Sequence, residues 1–337
     1  MNRSDAYYVD KYESYEAQFD PVRTDRKARR SRKPKARHTP KKPNGAVVAE
    51  LVDETAELEG GFTTTYRPSF YEAEWLLSSL RPFYDQALIS DVLALVRGGK
   101  EASVYRCAAY PGTGETFLAA KVYRPRMFRS LSNDKMYREG REMLTPEGRP
   151  VGRQADRVAR AVGKKTAYGV QVAHTSWLMY EYTSLERLYQ AGAAVPRPFA
   201  AAENAILMSY LGDADMPAPT LQEVSLEPDE AALLFREVLR NVELMLQHDL
   251  IHGDLSAYNL LYWAGDDAPG KITLIDFPQV VNSRTNPKAH FIFRRDIARV
   301  CDYFSRQGVK CHPAAIAEEL WYRYGAPTFD DPAADGD

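Results

Sequence analysis

The chain has 337 residues, 45% of them apolar and 27% charged, with a formal net charge of −2, the composition of an ordinary globular protein with material for a sizeable core. No apolar run approaches the ~18 residues of a membrane span, and the opening MNRSDAYYVDKYESYEAQFDP lacks the apolar segment of a secretory signal. The three cysteines, Cys107, Cys301 and Cys311, show no metal spacing. Without a signal peptide they fit a reducing compartment, so a cytoplasmic location is expected.

Charge is distributed unevenly. Between Arg23 and Lys42 there are eleven Lys or Arg against one Asp, leaving 33 basic and 45 acidic residues in the rest. A basic arm is joined to an acidic body. Residues 1–62 lack sustained periodicity and read as a disordered arm. The run 23–42 is a candidate contact for RNA or a ribosomal particle through phosphate neutralisation; a solubilising tail, or one folding back on the acidic body, is the alternative.

Residues 63–88 form a helical extension, with Phe70, Trp75, Leu76 and Leu80 at helical spacing, Ser69 as cap, and Glu72 and Glu74 near the N-terminal dipole. From Ile89 the texture changes. ISDVLALVRGGKEASVYRCAAY reads as strand, glycine turn and strand, and ETFLAAKVYRP adds a third strand ending at Lys121, so an antiparallel meander is expected. Residues 126–176 are polar, basic and interrupted by Gly and Pro, and read as one long flexible loop. A helix follows, with Trp177, Leu178, Tyr182, Leu185 and Leu188 along one side, and then a short strand, AILMSYLG. The segment from Pro228 is a strong helix with Leu234, Val238, Val242 and Met245 as its apolar stripe. Beyond it lie the polar island LIHGDLSAYNLLYW, a hairpin ending in KITLIDF, two closing helices, and an acidic tail over 326–337. The order predicts an α+β fold of two lobes, a small β-rich lobe over 89–211 and a mainly helical lobe over 212–325.

Three polar residues carry the chemistry. Asp254 and Asn259 stand five apart in the polar island, and Asp276 follows at the end of a strand. Phosphoryl transfer needs a carboxylate beside the accepting hydroxyl and oxygen ligands for Mg²⁺. Asp254 suits the first role; Asn259 and Asp276 suit the second, with Mn²⁺ as a substitute for Mg²⁺. Their order and spacing match the catalytic-loop Asp, its Asn and the metal Asp of kinases.

At the phosphate end, Gly98 and Gly99 permit a tight turn with exposed N–H groups, and Lys100 and Ser103 are candidates for direct phosphate contact. A plain hairpin turn is the competing reading. Lys121, interior to an apolar strand, requires an anion, with Glu181 or Glu186 and the ATP phosphates as candidates. Backbone groups from Met208 through Tyr210 to Leu211 are candidates for adenine, though the strand could equally be plain core. His252 and Asp296 read as anchors of the loop rather than as proton carriers.

HGDLSAYN, LIDFPQVV and FRRDIARVCDYF, with GGKEASVY and AAKVYR, resemble the RIO kinases, the atypical serine/threonine protein kinases. The pattern W-x3-E-x3-L-x-R-L-x2-A-G-x3-P-x-P, from Trp177 to Pro198, is similar to their helix C and places its glutamate at Glu181. The resemblance covers about residues 89–325. It implies a trimmed bilobal kinase fold without the usual activation segment, consistent with the twenty residues that separate Asp276 from Asp296. It further implies ATP and Mg²⁺ as cofactors, a protein substrate that includes the chain itself, with Ser130 and Ser132 as candidate autophosphorylation sites, and in some members an ATPase in which Asp276 takes the phosphate transiently. IDFPQ resembles members that carry an N-terminal winged-helix domain, for which residues 62–88 are too few.

A small-molecule phosphotransferase of the aminoglycoside or choline type shares H-G-D-x4-N and I-D-F. The FPQ sequel, the GGKEASVY turn and the long segment before helix C favour the RIO type. A third class, a nucleotide-driven RNA or ribosome switch, would use the same site.

Overall fold

The computed structural model describes residues 62, 64–99, 101–124, 135–152, 155–164, 166–264 and 270–325. The basic arm 23–42, the acidic tail, Lys100, Ser130 and Ser132 lie outside these residues. The chain divides into two compact units, one containing the described residues up to Thr116 with Val122–Arg124, the other Phe117–Lys121 and everything from Lys135 onward.

In the first unit, helix α1 (Phe70–Asp85) begins where the Glu72 carboxylate accepts from the Ser69 N–H at 3.3 Å, closing the expected N-terminus. Leu76, Leu80 and Phe83 form its buried face. Strands β1 (Ile89–Gly98) and β2 (Ala102–Ala109) pair antiparallel from Ile89 opposite Ala109 to Gly98 opposite Ser103, with three register shifts. Burial along β2 has period two, so Ser103, Tyr105 and Cys107 share the inward face. The Tyr105 hydroxyl donates to Glu72 at 2.5 Å, tying α1 to the hairpin, and burial together with that carboxylate pushes the phenol far above its ordinary value.

Strand β3 (Phe117–Tyr123) is buried from Leu118 onward and carries Lys121. The stretch read from sequence as one loop over 126–176 is largely helical where described. It contains α2 (Lys135–Arg138), α3 (Ala155–Gly163) and the first ten residues of α4 (Ala167–Gln190). Thr166 caps α4, its hydroxyl accepting from the Gly169 N–H at 3.1 Å. The absence of a side chain at Gly169 is what lets α3 approach, since a Cβ there would stand 2.1 Å from the Ala161 carbonyl oxygen. A glycine read from sequence as an interruption is therefore a close-contact point between helices.

After α4 come the antiparallel pair β4 (Pro198–Ala201) and β5 (Ala205–Ser209), then α5 (Pro228–Gln247). All four residues expected on the α5 stripe are buried, and Asn241 joins them with no exposed surface. Asn241 is satisfied by the Ala194 N–H at 2.6 Å and the Glu237 carbonyl at 2.8 Å. The expected hairpin is present as β7 (Leu260–Trp263) and β8 (Lys271–Leu274), and β6 (Leu250–Ile251) pairs antiparallel with β9 (Val281–Asn282). Helices α6 (Ala289–Arg306) and α7 (Pro313–Tyr324) close the second unit.

One core runs through this unit. Leu185 and Leu188 of α4 join Val238 and Val242 of α5, Leu274 of β8, Ile297 and Phe304 of α6, and Trp321 of α7. That shared core joins α4 and, through the partly buried Met208, β5 to the helices of this unit.

Candidate active site

The polar island hangs between two buried anchors. It leaves β6, whose Leu250 and Ile251 are buried and held opposite Asn282 and Val281, and it ends in a single 3-10 turn, Ala257–Asn259, leading into β7. His252 is buried, its Nε2 donating to the Ile275 carbonyl at 3.0 Å while Nδ1 accepts from the Asp254 N–H at 3.3 Å. A carbonyl at one nitrogen and an N–H at the other assign the Nε2–H tautomer. Gly253 takes φ +82°, and a Cβ on it would lie 2.1 Å from the Gln279 carbonyl oxygen. Its N–H donates to Asp296 Oδ2 at 2.8 Å, and its carbonyl accepts from Arg295 Nη2. Burial pushes the Asp296 carboxyl above its ordinary value, with the Arg295 guanidinium pulling the other way. His252 and Asp296 thus act as the anchors expected of them.

Asn259 donates from Nδ2 to the Asp254 backbone carbonyl at 2.8 Å and, more weakly, to Oδ2 at 3.3 Å. This assigns the amide's orientation and leaves Oδ1 as the group to offer a hard cation. The Asn259 carbonyl accepts from the Ile275 N–H at 3.0 Å, which brings Asn259 beside the residue before Asp276. Asp254 is reached from another side: Arg299 Nη1 donates to its Oδ1 at 2.6 Å.

Asp276 follows β8 with φ +72°, a backbone region few non-glycine residues adopt. Its Oδ1 is 2.5 Å from Lys121 Nζ, and the same Nζ is 2.6 Å from Glu181 Oε1. Lys121 and Glu181 are 8% and 3% exposed, so this is a buried cation between two carboxylates. Glu186 is engaged elsewhere, with the Tyr182 hydroxyl, which assigns Glu181 as the lysine's partner on α4. The segment after Asp276 is held by Arg141, whose Nη2 donates to the carbonyls of Pro278 at 2.9 Å and Val280 at 2.5 Å.

The second unit therefore brings together Lys121, Glu181, Asp254, Asn259 and Asp276. Gly98, Gly99 and Ser103 lie in the first unit. Gly99 closes the β1–β2 turn, its N–H donating to the Ala102 carbonyl at 2.9 Å. Ser103 is 3% exposed and its hydroxyl bonds the Tyr105 side chain, so the phosphate contact expected of it is not supported. Met208 lies in β5 opposite Pro198 and packs on the core; the Leu211 carbonyl accepts from the Ala218 N–H at 2.9 Å; and Tyr210 meets Phe117 edge-on at 6.0 Å. Sequence reasoning missed Arg141, Arg295 and Arg299. Only the last two left a trace, as basic residues one before and three after Asp296 on the same helix.

Among the described residues no group of three or more His, Cys, Asp or Glu is placed to hold a metal ion. One carboxylate and one amide oxygen do fit Mg²⁺, which keeps several waters and takes the rest of its ligands from substrate phosphates. No described helix is long and apolar enough to cross a membrane.

The sequence matches the family model of the RIO domain over residues 135–316. The RIO-type serine/threonine-protein kinase Rio1 of Haloferax volcanii is 33% identical over 225 residues, 65% of each chain. The Thermoplasma acidophilum Rio1 is 33% identical over 144 residues, 43% of this chain and 72% of that one. The human serine/threonine-protein kinase RIO1 is 29% identical over 225 residues, 66% of this chain and 35% of the human protein. The chain thus spans just under two thirds of the Haloferax relative and about a third of the human one. Among solved structures, the Rio2 kinase–ADP/Mg²⁺–phosphoaspartate complex from Chaetomium thermophilum matches with a TM-score of 0.51 at 21% identity, covering 84% of this chain and 76% of that one. That likeness gives the α+β, protein-kinase-like fold.

Proposed function

The chain belongs to the RIO family, and on that premise we propose that it is an ATP- and Mg²⁺-dependent kinase or ATPase. It would move the γ-phosphoryl group of ATP to a protein serine, its own included, or to water. The observation that carries this reading is the buried Lys121, 2.6 Å from Glu181 and 2.5 Å from Asp276, together with a loop, anchored by His252 and Asp296, that offers Asp254. A cation held in place by Glu181 suits the phosphates of ATP, which bring the anion that an interior lysine requires.

Asn259 Oδ1 and Asp276 would hold Mg²⁺, or Mn²⁺ in its place. When bound, the ion neutralises charge on the phosphate oxygens. The protein's own groups do the remaining work. Asp254 accepts the proton of the acceptor hydroxyl as the new O–P bond forms, the bond between the γ-phosphorus and the bridging oxygen breaks, and ADP leaves. His252, Gly253 and Asp296 keep the Asp254 carboxylate in place through the transfer. Met208, Tyr210 and Leu211 remain the candidates for adenine, and Gly98, Gly99 and Lys100 for the phosphates.

A second reading makes Asp276 the acceptor. The Rio2 relative is described as a phosphoaspartate complex, which favours an acyl-phosphate step here too, with water as the final acceptor. The arm 23–42, with eleven basic residues, is proposed to contact RNA or a ribosomal particle. Product analysis with γ-labelled ATP tests the function: phosphoserine supports the kinase, a hydroxylamine-labile acyl phosphate or free phosphate supports the ATPase, and unchanged ATP overturns both.

A further inference from the structure

We propose that Arg299 and Arg306 form a seat for an anionic side chain next to the acceptor hydroxyl, so that the chain selects acceptor segments with an acidic or phosphorylated residue beside the target serine. This inference rests on the kinase reading above and names the substrate class of the same site.

Asp254 opens onto a recess of about 500 Å³, lined among others by Gln222, Tyr258, Arg299, Asp302 and Arg306. Arg299, Asp302 and Arg306 stand at i, i+3 and i+7 on α6 and therefore share one helix face. Arg299 Nη1 reaches Asp254 Oδ1 at 2.6 Å with 42% of its side chain exposed. An acceptor hydroxyl on Asp254 sits about 2.6–3.2 Å from the carboxylate. The guanidinium is consequently within one residue's reach of the acceptor. Guanidinium carries five N–H donors in a planar fork, and the hydrogen bond to Asp254 uses one of them. Arg306 contributes a second cation; its Nε donates to the Asp302 carbonyl at 3.0 Å. Apart from Asp254, which the reaction uses, the charged residues lining the recess are two arginines against Asp302. Tyr258, 57% exposed, adds an apolar wall for the peptide.

The same contact gives the anion a second effect. A carboxylate bound to Arg299 competes with Asp254 for that cation, so an incoming anion draws the guanidinium from Asp254 Oδ1 and leaves this oxygen to the hydroxyl proton. An acidic neighbour thereby improves both docking and the readiness of the base, and a basic neighbour opposes both.

The test uses the full chain with Mg²⁺ and labelled ATP on serine peptides whose flanking positions carry Ala, Glu, phosphoserine or Lys, with ATP turnover followed in parallel. Glu or phosphoserine flanks should raise kcat/KM about tenfold over Ala, the worth of one charge-assisted hydrogen bond, mostly through KM. The Glu and phosphoserine arms distinguish a carboxylate from a phosphate as the anion. Arg306→Gln and Arg299→Gln should bring the acid-to-alanine ratio toward one, and Arg299→Lys should restore part of it. The readout is a ratio within each variant, so a general loss of folding or activity does not imitate it. Equal transfer to all flanks by the wild-type chain, a ratio unchanged in both glutamine variants, or ATP turnover with transfer to no peptide overturns the seat. Absence of any ATP turnover overturns the kinase reading itself.

Discussion

Lys121 and Asp276 are 155 residues apart in sequence and 2.5 Å apart in the fold, Nζ to Oδ1. The same ammonium serves Glu181, so one buried cation links β3, α4 and the second residue after β8. Lys121 and Glu181 are buried and depend on each other for charge compensation, while 43% of the Asp276 side chain is exposed, and several consequences can be measured.

Removing Glu181 leaves Lys121 buried with one carboxylate in place of two. Breaking a buried pair from one side costs about 3–5 kcal/mol; the remaining Asp276 places Glu181→Ala near the lower end. Urea denaturation should show this loss, together with weaker ATP binding by calorimetry. Stability within about 0.5 kcal/mol of the wild type would show that the pair is not buried as described.

Asp254→Asn keeps the shape of the side chain and removes its basicity. Phosphoryl transfer to serine should fall by about 100-fold or more, while ATP affinity stays within about threefold. Equal losses of transfer and ATP binding would place Asp254 among the nucleotide contacts instead.

Gly253 sits at φ +82° with the Gln279 carbonyl where a Cβ would go. Gly253→Ala should displace the loop, costing about 1–3 kcal/mol of stability and most of the activity. A fully active, fully stable alanine variant would contradict the loop geometry.

Asp296 is 2% exposed and burial raises its carboxyl above the ordinary 3.8. The folded state then keeps a proton that the unfolded state has lost. This group's contribution is fully present below about pH 3.8 and is lost as pH rises through the raised value. Asp296→Asn removes that dependence, so the stability advantage of the wild type over the variant should shrink as pH rises above 3.8. An advantage that grows over this range would mean that the hydrogen bonds from Gly253 and Arg295 outweigh burial.

Much of this site was legible in the sequence because its parts sit where patterns break. Asp254 and Asn259 interrupt apolar runs, Lys121 interrupts a buried strand, and Asp276 ends one. The apolar stripe of α5 was equally readable. What escaped is held by polar side chains meeting distant backbone, which leaves no periodic trace. Arg141 reaches the carbonyls of Pro278 and Val280, Thr285 reaches that of Gly140, and Asn286 those of Met136 and Glu139. These bonds order a segment that reads as a loop. Ser103 failed in the opposite direction: a hydroxyl beside a glycine turn looks available for phosphate, but the strand's period of two turns it inward.

The central claim is that Asp254 and Asp276 serve one phosphoryl-transfer site with different roles. The most direct measurement is a single-turnover experiment with γ-labelled ATP and Mg²⁺ on the wild-type chain, Asp254→Asn and Asp276→Asn. The wild type should transfer label, Asp254→Asn should bind ATP without passing label to serine, and Asp276→Asn should lose both metal-dependent ATP binding and turnover. Labelling by both variants at the wild-type rate, or none by the wild type, would contradict the claim.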